Sequence, residues 1–319
     1  MKVEMIKEVA VLGAGIMGHG IAQSFLMGGY PVRLFDMTDA ILENARAHIE
    51  QNLALFSRHG LLLEEDVRLC LGRLTATSDL KAAVEGVQFI TEAAPEDLEL
   101  KQSLFADMED ACAEDAILAS NTSSLTLEAI GVRVHKKERL VTTHWFNPPH
   151  IVPTVEVVRS PWTSDETLDV TFNILNRIKK RPVKIQREIP GFLINRIQMA
   201  MIREILDLYE KGIASAEDID RAVKGSIGFR LASIGPLLTM DLGGLKLWLS
   251  VCENIFPDLQ SSTKPPAALV RLSEQGLDGI KTGKGFYDYT REYSRKELDQ
   301  AIQKRDEEFL NRLKNLYRF

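Results

Sequence analysis

His144, His150 and Glu156 stand close together in the segment VTTHWFNPPHIVPTVEVV (Val141–Val158). Histidine ordinarily titrates near neutrality, so it suits a proton transfer that accompanies hydride movement at an alcohol carbon. A carboxylate at the second ring nitrogen would fix the tautomer and stabilise the imidazolium. His144 ends one strand-like run, LVTTHW, and Glu156 lies in the next, TVEVV, with a proline-shaped loop between them. As sheet neighbours, the two strands would bring both side chains to the carboxyl edge of a sheet, where open α/β sheets bind ligands. The competing reading is a strand-end histidine and an exposed strand glutamate. His150 lies in the loop, is expected near solvent, and is a candidate for substrate contact. SNTSS (Ser120–Ser124) is a further polar run behind a strand; it could cap a helix, bind a ligand, or do both.

The elements that must carry these residues follow from the N-terminal half. An apolar run, Glu8–Leu12, leads into GAGIMG, in which Gly13, Gly15 and Gly18 form G-x-G-x-x-G between a strand and a helix. The first glycine permits the turn, the second lets backbone approach a pyrophosphate, and the third lets helix and strand pack closely. A second strand, PVRLFD, ends in Asp36, placed to accept both hydroxyls of a ribose. Its charge would repel a 2′-phosphate, and Met37, Thr38 and Asp39 offer no positive charge, so NAD is expected over NADP. Arg33 is expected as a solvated strand residue. Helix-like periodicity over Ile41–His59 and EEDVRLCLGRL then alternates with the strands VQFITEA, AILASN, LVTTHW, TVEVV and PVKIQ. This predicts an α/β Rossmann-like fold: a mostly parallel sheet with helices on both faces, over residues 1–187. After REIPGF the pattern turns helical, predicting an all-α C-terminal domain over residues 188–319 for substrate and dimerisation. A charged helix is expected from about Tyr293, with Leu298, Ile302, Phe309, Leu313 and Leu316 as an apolar seam.

The formal net charge of −6 argues against non-specific nucleic-acid binding, so the expected partner is a small-molecule substrate. Cys70, Cys112 and Cys252 are sparse and far apart, which reads as free thiols in a reducing compartment. Neither a leader peptide nor a membrane-length apolar run is recognisable, and the expectation is a cytoplasmic protein without membrane attachment. No metal site is expected.

In order, GAGIMG, EAAPEDLELK, SNTSSL, HWFNPPHIVPTVEV, PGFLINR and KTGKGFYDY resemble the motifs of the L-3-hydroxyacyl-CoA dehydrogenases across Lys7 to Tyr289. The resemblance implies an NAD-dependent enzyme of fatty acid metabolism, a homodimer through its helical domain, that interconverts L-3-hydroxyacyl-CoA and 3-ketoacyl-CoA. By motif, His144 would be the base and Glu156 its orienting partner, with Ser123 and Asn195 at the reacting oxygen. Gly13, Gly15, Ile16, Met17, Gly18, Asp36, Glu96, Lys101, Asn121, Ser123, Asn147 and Lys281 would line the NAD site. The helix Ile41–His59, which in the family helps to receive CoA, carries no lysine here; Asn52, Arg58 and His59 are the groups left to meet the nucleotide. Trp145, Pro149–His150 and Thr154 depart from the usual loop, as does SIGFRLASIGPLLTMDLGG, in which Arg230 could meet a substrate carboxylate or make a salt bridge. These departures resemble a branch acting on small non-CoA carboxylated alcohols of pyridine carboxylate, carnitine or gulonate type. A non-catalytic nucleotide-binding structural protein is the remaining alternative.

Overall fold

A computed structural model describes residues 2–289 and 295–316, with the side chains of 295–301 left aside. The eight strands are β1 (Val9–Leu12), β2 (Val32–Phe35), β3 (Leu74–Thr77), β4 (Phe89–Glu92), β5 (Ile117–Ser120), β6 (Leu140–Trp145), β7 (Thr154–Val158) and β8 (Arg181–Ile185). They form one sheet in the order β3-β2-β1-β4-β5-β6-β7-β8, parallel throughout except between β6 and β7. The order reverses between β1 and β4, which opens a crevice at the carboxyl ends of those strands.

Strand alternation divides the core into two layers. Val9 and Val11 of β1 face one side, packed with Ile21 and Phe25 of α1 (Gly18–Met27) and with Leu42, Ile49 and Leu53 of α2 (Asp39–Arg58). α3 (Glu64–Gly72) contributes Cys70 to this layer. Ala10 and Leu12 face the other side, where α4 (Leu80–Val84), α5 (Leu98–Ala111) and α6 (Leu127–Ile130) bring Val84, Phe105, Met108 and Ile130. The first layer is completed by Ile174 and Leu175 of α7 (Asp165–Arg177). Every residue of β1 is buried because both faces are covered, each large side chain contributing about 1.5–3 kcal/mol. Helix starts are set by side-chain caps: Thr38, Asp79, Asp97, Thr126 and Ser164 each accept a backbone N–H of the first turn.

Two compact units result, residues 2–194 with 303–316, and residues 195–289 with 295–302. The second unit is helical: α8 (Ile194–Glu210), α9 (Ala216–Gly225, capped by Ser215), α10 (Ile227–Leu231), α11 (Pro236–Gly243), α12 (Leu245–Ile255) and α13 (Ala267–Glu274). α14 (Arg295–Leu316) is the charged helix anticipated near Tyr293, a residue outside the described ones. From residue 303 on it belongs with the first unit, not with the helical domain to which it was assigned: Leu310 and Leu313 are buried against Leu55, Phe56 and Ile151. A second departure is β3, which the sequence pattern does not mark beyond a helix ending at Leu74; this short edge strand has two exposed residues and shows little alternation. Among the described residues no helix is long and apolar enough to cross a membrane.

Candidate active site

β6 and β7 run antiparallel, and their register sets His144 directly opposite Glu156. His144 Nδ1 lies 2.7 Å from Glu156 Oε2, with the histidine 5% and the glutamate 0% exposed. The other carboxylate oxygen accepts hydrogen bonds from the backbone N–H groups of Leu193 (3.1 Å) and Ile194 (2.8 Å). Those two donors are aimed by a turn in which Gly191 and Phe192 both take positive φ, +77° and +47°. The left-handed backbone of a buried phenylalanine costs about 1–3 kcal/mol and is held here by the contacts around it. The Phe192 ring stands 5.4 Å from the imidazole and the Phe146 ring 4.8 Å, so the histidine is braced on two sides. With Nδ1–H donated to the carboxylate, Nε2 keeps its lone pair and is the ring's basic position.

The glycine turn meets the demands placed on it. Gly13 has φ +98°, and a Cβ there would lie 2.7 Å from the Ala93 carbonyl oxygen. A Cβ on Gly18 would lie 1.6 Å from the Gly13 carbonyl oxygen, so helix α1 could not start this close to β1 with any other residue. Above Gly15 nothing lies within 4 Å of an added Cβ, leaving open backbone for a phosphate to approach. Asp36 accepts from the backbone N–H of Ala14 and of Met37, both at 2.7 Å, which fixes its carboxylate beside the turn. Ile16 and Met37 are strongly exposed apolar side chains flanking that carboxylate's segment, as a flat apolar ring would require. The open glycine backbone, the oriented acid and the exposed apolar residues fit a dinucleotide. Arg33 is tied to Glu8 at 2.6 Å and to the Ala82 and Glu85 carbonyls, rather than solvated.

Between β4 and β5 lies a polar network that sequence reading reached only in part. Glu92, fully buried at the end of β4, accepts from Lys101 Nζ (2.5 Å), the Ser120 hydroxyl (2.6 Å) and the Ala94 N–H (2.7 Å). Lys101 also donates to the Ala94 carbonyl and lies 3.4 Å from Glu96. Its donors are therefore turned to protein oxygens and it is 1% exposed, unlike the cofactor-lining lysine that was expected. Lys101 acts on the site by holding Glu92 and Glu96. Glu96 gathers the Thr122 and Ser124 hydroxyls and the Ser123 and Ser124 N–H groups. Burial opposes ionisation, but the Thr122 and Ser124 hydroxyls, with the Lys101 charge, outweigh it and hold the Glu96 carboxyl at about 2. Ser120–Ser124 thus wraps a carboxylate, while Thr126 is the residue that caps the next helix. Asn121 accepts the N–H of Trp145 at 2.9 Å and extends β6 past its ladder, whereas Ser123 and Asn147 are exposed.

The remaining candidates divide by place. Asn52 and His59 are half-buried and Arg58 exposed, all on or just past α2. Asn195, Arg230 and Lys281 belong to the second unit: Asn195 half-buried in the first turn of α8, Arg230 exposed on α10, and Lys281 exposed and 3.1 Å from Asp278. His150 is corrected outright. It is 7% exposed, packed against Phe56 and near His19, because α2 and α14 cover the loop that carries it. Burial, with the charges of His19, Lys180 and Arg305, drives its pKa down to about 3, so the ring is neutral. Glu92 had a readable signal, an acid ending a buried strand nine residues before Lys101; the positive φ of Phe192 had none.

Two family models match the chain. The model described as 3-hydroxyacyl-CoA dehydrogenase, NAD binding domain, matches residues 8–189, and that of the 3-hydroxyacyl-CoA dehydrogenase C-terminal domain matches residues 191–289. A 5-formyl-3-hydroxy-2-methylpyridine 4-carboxylate 5-dehydrogenase of Mesorhizobium japonicum is 31% identical over 291 residues, 91% of this chain and 93% of the relative. The crystal structure of a dehydrogenase of that pyridine carboxylic acid, described as an NAD+-dependent dismutase, superposes with a TM-score of 0.89. It shares 29% identity and covers 96% of this chain and 97% of its own. The structure of (S)-3-hydroxybutyryl-CoA dehydrogenase from Ralstonia eutropha gives a TM-score of 0.74 at 30% identity, covering 89% of this chain and 99% of its own.

Proposed function

This chain belongs to the 3-hydroxyacyl-CoA dehydrogenase family, and on that premise we propose that it interconverts an L-3-hydroxyacyl-CoA and its 3-ketoacyl-CoA as an NAD-dependent dehydrogenase. The observation that carries this is the buried His144–Glu156 pair on β6 and β7, in the same sheet as the glycine turn. NAD, when bound, supplies the hydride acceptor and donor. The Gly13–Gly18 turn and the start of α1 hold its pyrophosphate, and Asp36 holds the adenosine ribose. Glu96, with Asn121 just past β5 and Asn147 just past β6, borders the rest of that site.

His144 takes the hydroxyl proton at Nε2 in oxidation and returns it in reduction. Glu156 keeps Nδ1 protonated and stabilises the imidazolium. Its own charge is steadied by the Leu193 and Ile194 N–H groups. The hydroxyl of Ser123, which has no partner among the described residues, donates to the substrate oxygen. Roles for Asn195 at that oxygen, Lys281 at the cofactor and Arg230 at a substrate carboxylate are proposed from their motifs alone. NADH oxidation with acetoacetyl-CoA tests the reading; no turnover with any acyl-CoA ketone would sink it.

A second reading, a small carboxylated alcohol as substrate, is favoured by α14. Asn52 and His59, assigned to the CoA nucleotide, lie at helical spacing with Leu55 and Phe56, the pair that packs on Leu310 and Leu313. The high structural likeness to the pyridine carboxylate enzyme points the same way. Turnover confined to non-CoA ketones or aromatic aldehydes in the same assay would decide for it. A cytoplasmic homodimer with a place in fatty acid metabolism completes the proposal. The second unit supports dimerisation by leaving Phe229, Leu237, Leu242, Leu245 and Phe256 exposed, and mass in solution tests it.

A further inference from the structure

Away from the glycine turn, the first unit contains a cavity of about 450 Å³ between the end of α1, the end of α2, the 146–153 loop, the α7–β8 junction and α14. Most of its wall is apolar, including Met27, Phe56, Leu61, Leu62, Ile178 and Leu313. One end is different. Lys180 brings its ammonium there, 7% exposed, donating to the carbonyls of Pro149 (2.5 Å) and Val152 (3.0 Å) and lying 5.3 Å from the centre of the Trp145 ring. Among the described residues no carboxylate pairs with it. His150 and Ser24 line the same end, the Ser24 hydroxyl donating to the Gly20 carbonyl at 2.9 Å and His150 Nδ1 buried against Gly20. The charged and titratable groups that act on His150 are His19, Lys180 and Arg305, all basic; Arg305 is engaged with Asp306.

A buried cation without a counter-ion is costly, and an anion in the cavity would relieve it. The donor present is one ammonium N–H of Lys180 left over by two carbonyls; the Ser24 hydroxyl is spent on the Gly20 carbonyl. A single charged donor suits a monoanion and is too little for a phosphate dianion. The volume lies within the range of small-ligand sites, and the wall behind the polar end suits an alkyl chain. We propose that this cavity is a second binding site, taking a medium-chain monocarboxylate with its head at Lys180 and its tail against Phe56, Leu62 and Leu313. The site goes beyond the dehydrogenase reading and does not depend on it. Burial pulls the Lys180 ammonium down to about 7, and an incoming carboxylate would restore its charge, so binding above neutrality should take up protons.

Calorimetric titration of the full chain with octanoate tests this. One saturable site is expected, weakened about ten- to a hundredfold in Lys180→Met and for octanol in place of octanoate. Leu313→Trp, which fills the apolar end, should abolish binding, while His144→Ala should leave it intact. In the wild-type chain, the ammonium nitrogen resonance of a single lysine should shift on saturation, a readout that survives if Lys180→Met fails to fold. Absence of saturable binding, binding indifferent to both substitutions, or octanoate competing with the dehydrogenase substrate would each overturn the proposal.

Discussion

His144 and Glu156 are Cα partners across the antiparallel β6–β7 pair, and their side chains meet at 2.7 Å while two backbone N–H groups grip the far oxygen of the carboxylate. The two side chains are thus locked by sheet register at one end and by the strained Gly191–Phe192 turn at the other. His144→Ala is expected to lower kcat by about 10²–10⁴-fold, the usual worth of a positioned base, with little change in NADH affinity. Glu156→Gln should fall between, since the imidazole remains but its charge stabilisation is lost. Steady-state NADH absorbance with fluorescence titration of NADH checks both; turnover of His144→Ala within a few-fold of wild type would remove His144 from the mechanism.

Asp36 is held beside the glycine turn by Ala14 and Met37. Asp36→Ala should raise the KM for NAD by about tenfold or more, as expected for charge-assisted bonds to a ribose, and narrow the preference over NADP by removing the repulsion. The ratio of kcat/KM for the two cofactors measures it. An unchanged ratio would mean that the carboxylate does not face the ribose.

Lys101→Met strands the Glu92 charge in a fully buried place. Breaking one side of such a pair costs about 3–5 kcal/mol, so a large fall in the denaturation midpoint is expected. Replacing Glu92 together with Lys101 by apolar residues should recover part of it. Equal loss in single and double variants would show that the ion pair is not the cause.

Two groups shape the acid limb of stability in separate windows. The folded chain holds His150 at about 3 against 6.5, so it binds that proton more weakly than the unfolded chain. Stability from this group is complete above pH 6.5 and is lost as pH falls towards 3. Glu96, lowered from 4.5 to about 2, contributes above pH 4.5 and loses its contribution between 4.5 and 2. Thermal midpoints across pH should therefore flatten first between 6.5 and 4.5 in His150→Phe, and only below 4.5 in Glu96→Gln. The same slope as wild type in either window would contradict the corresponding assignment.

Much of this protein was legible in its sequence because the signals are local. The turn at Gly13–Gly18 and the acid at Asp36 are short-range demands of backbone geometry, and strand alternation announces a sheet covered on both faces. The family motifs named His144 and Glu156, and the strand reading placed them as neighbours. What distance along the chain conceals is burial. Lys101 looks like any helix lysine until Glu92 and Glu96 are brought onto it, and β3 is too short and too exposed for its pattern to speak.

His150 marks the division most sharply. A histidine between a proline and an isoleucine in a loop reads as surface, and the sequence determined no more than that loop. Packing of α14 on Leu55, Phe56 and Ile151 decided that the loop is covered, that His150 is neutral, and that Lys180 shares its cavity. Residues more than a hundred positions apart settled this by excluding water together, and no local pattern encodes which surface a distant helix will cover.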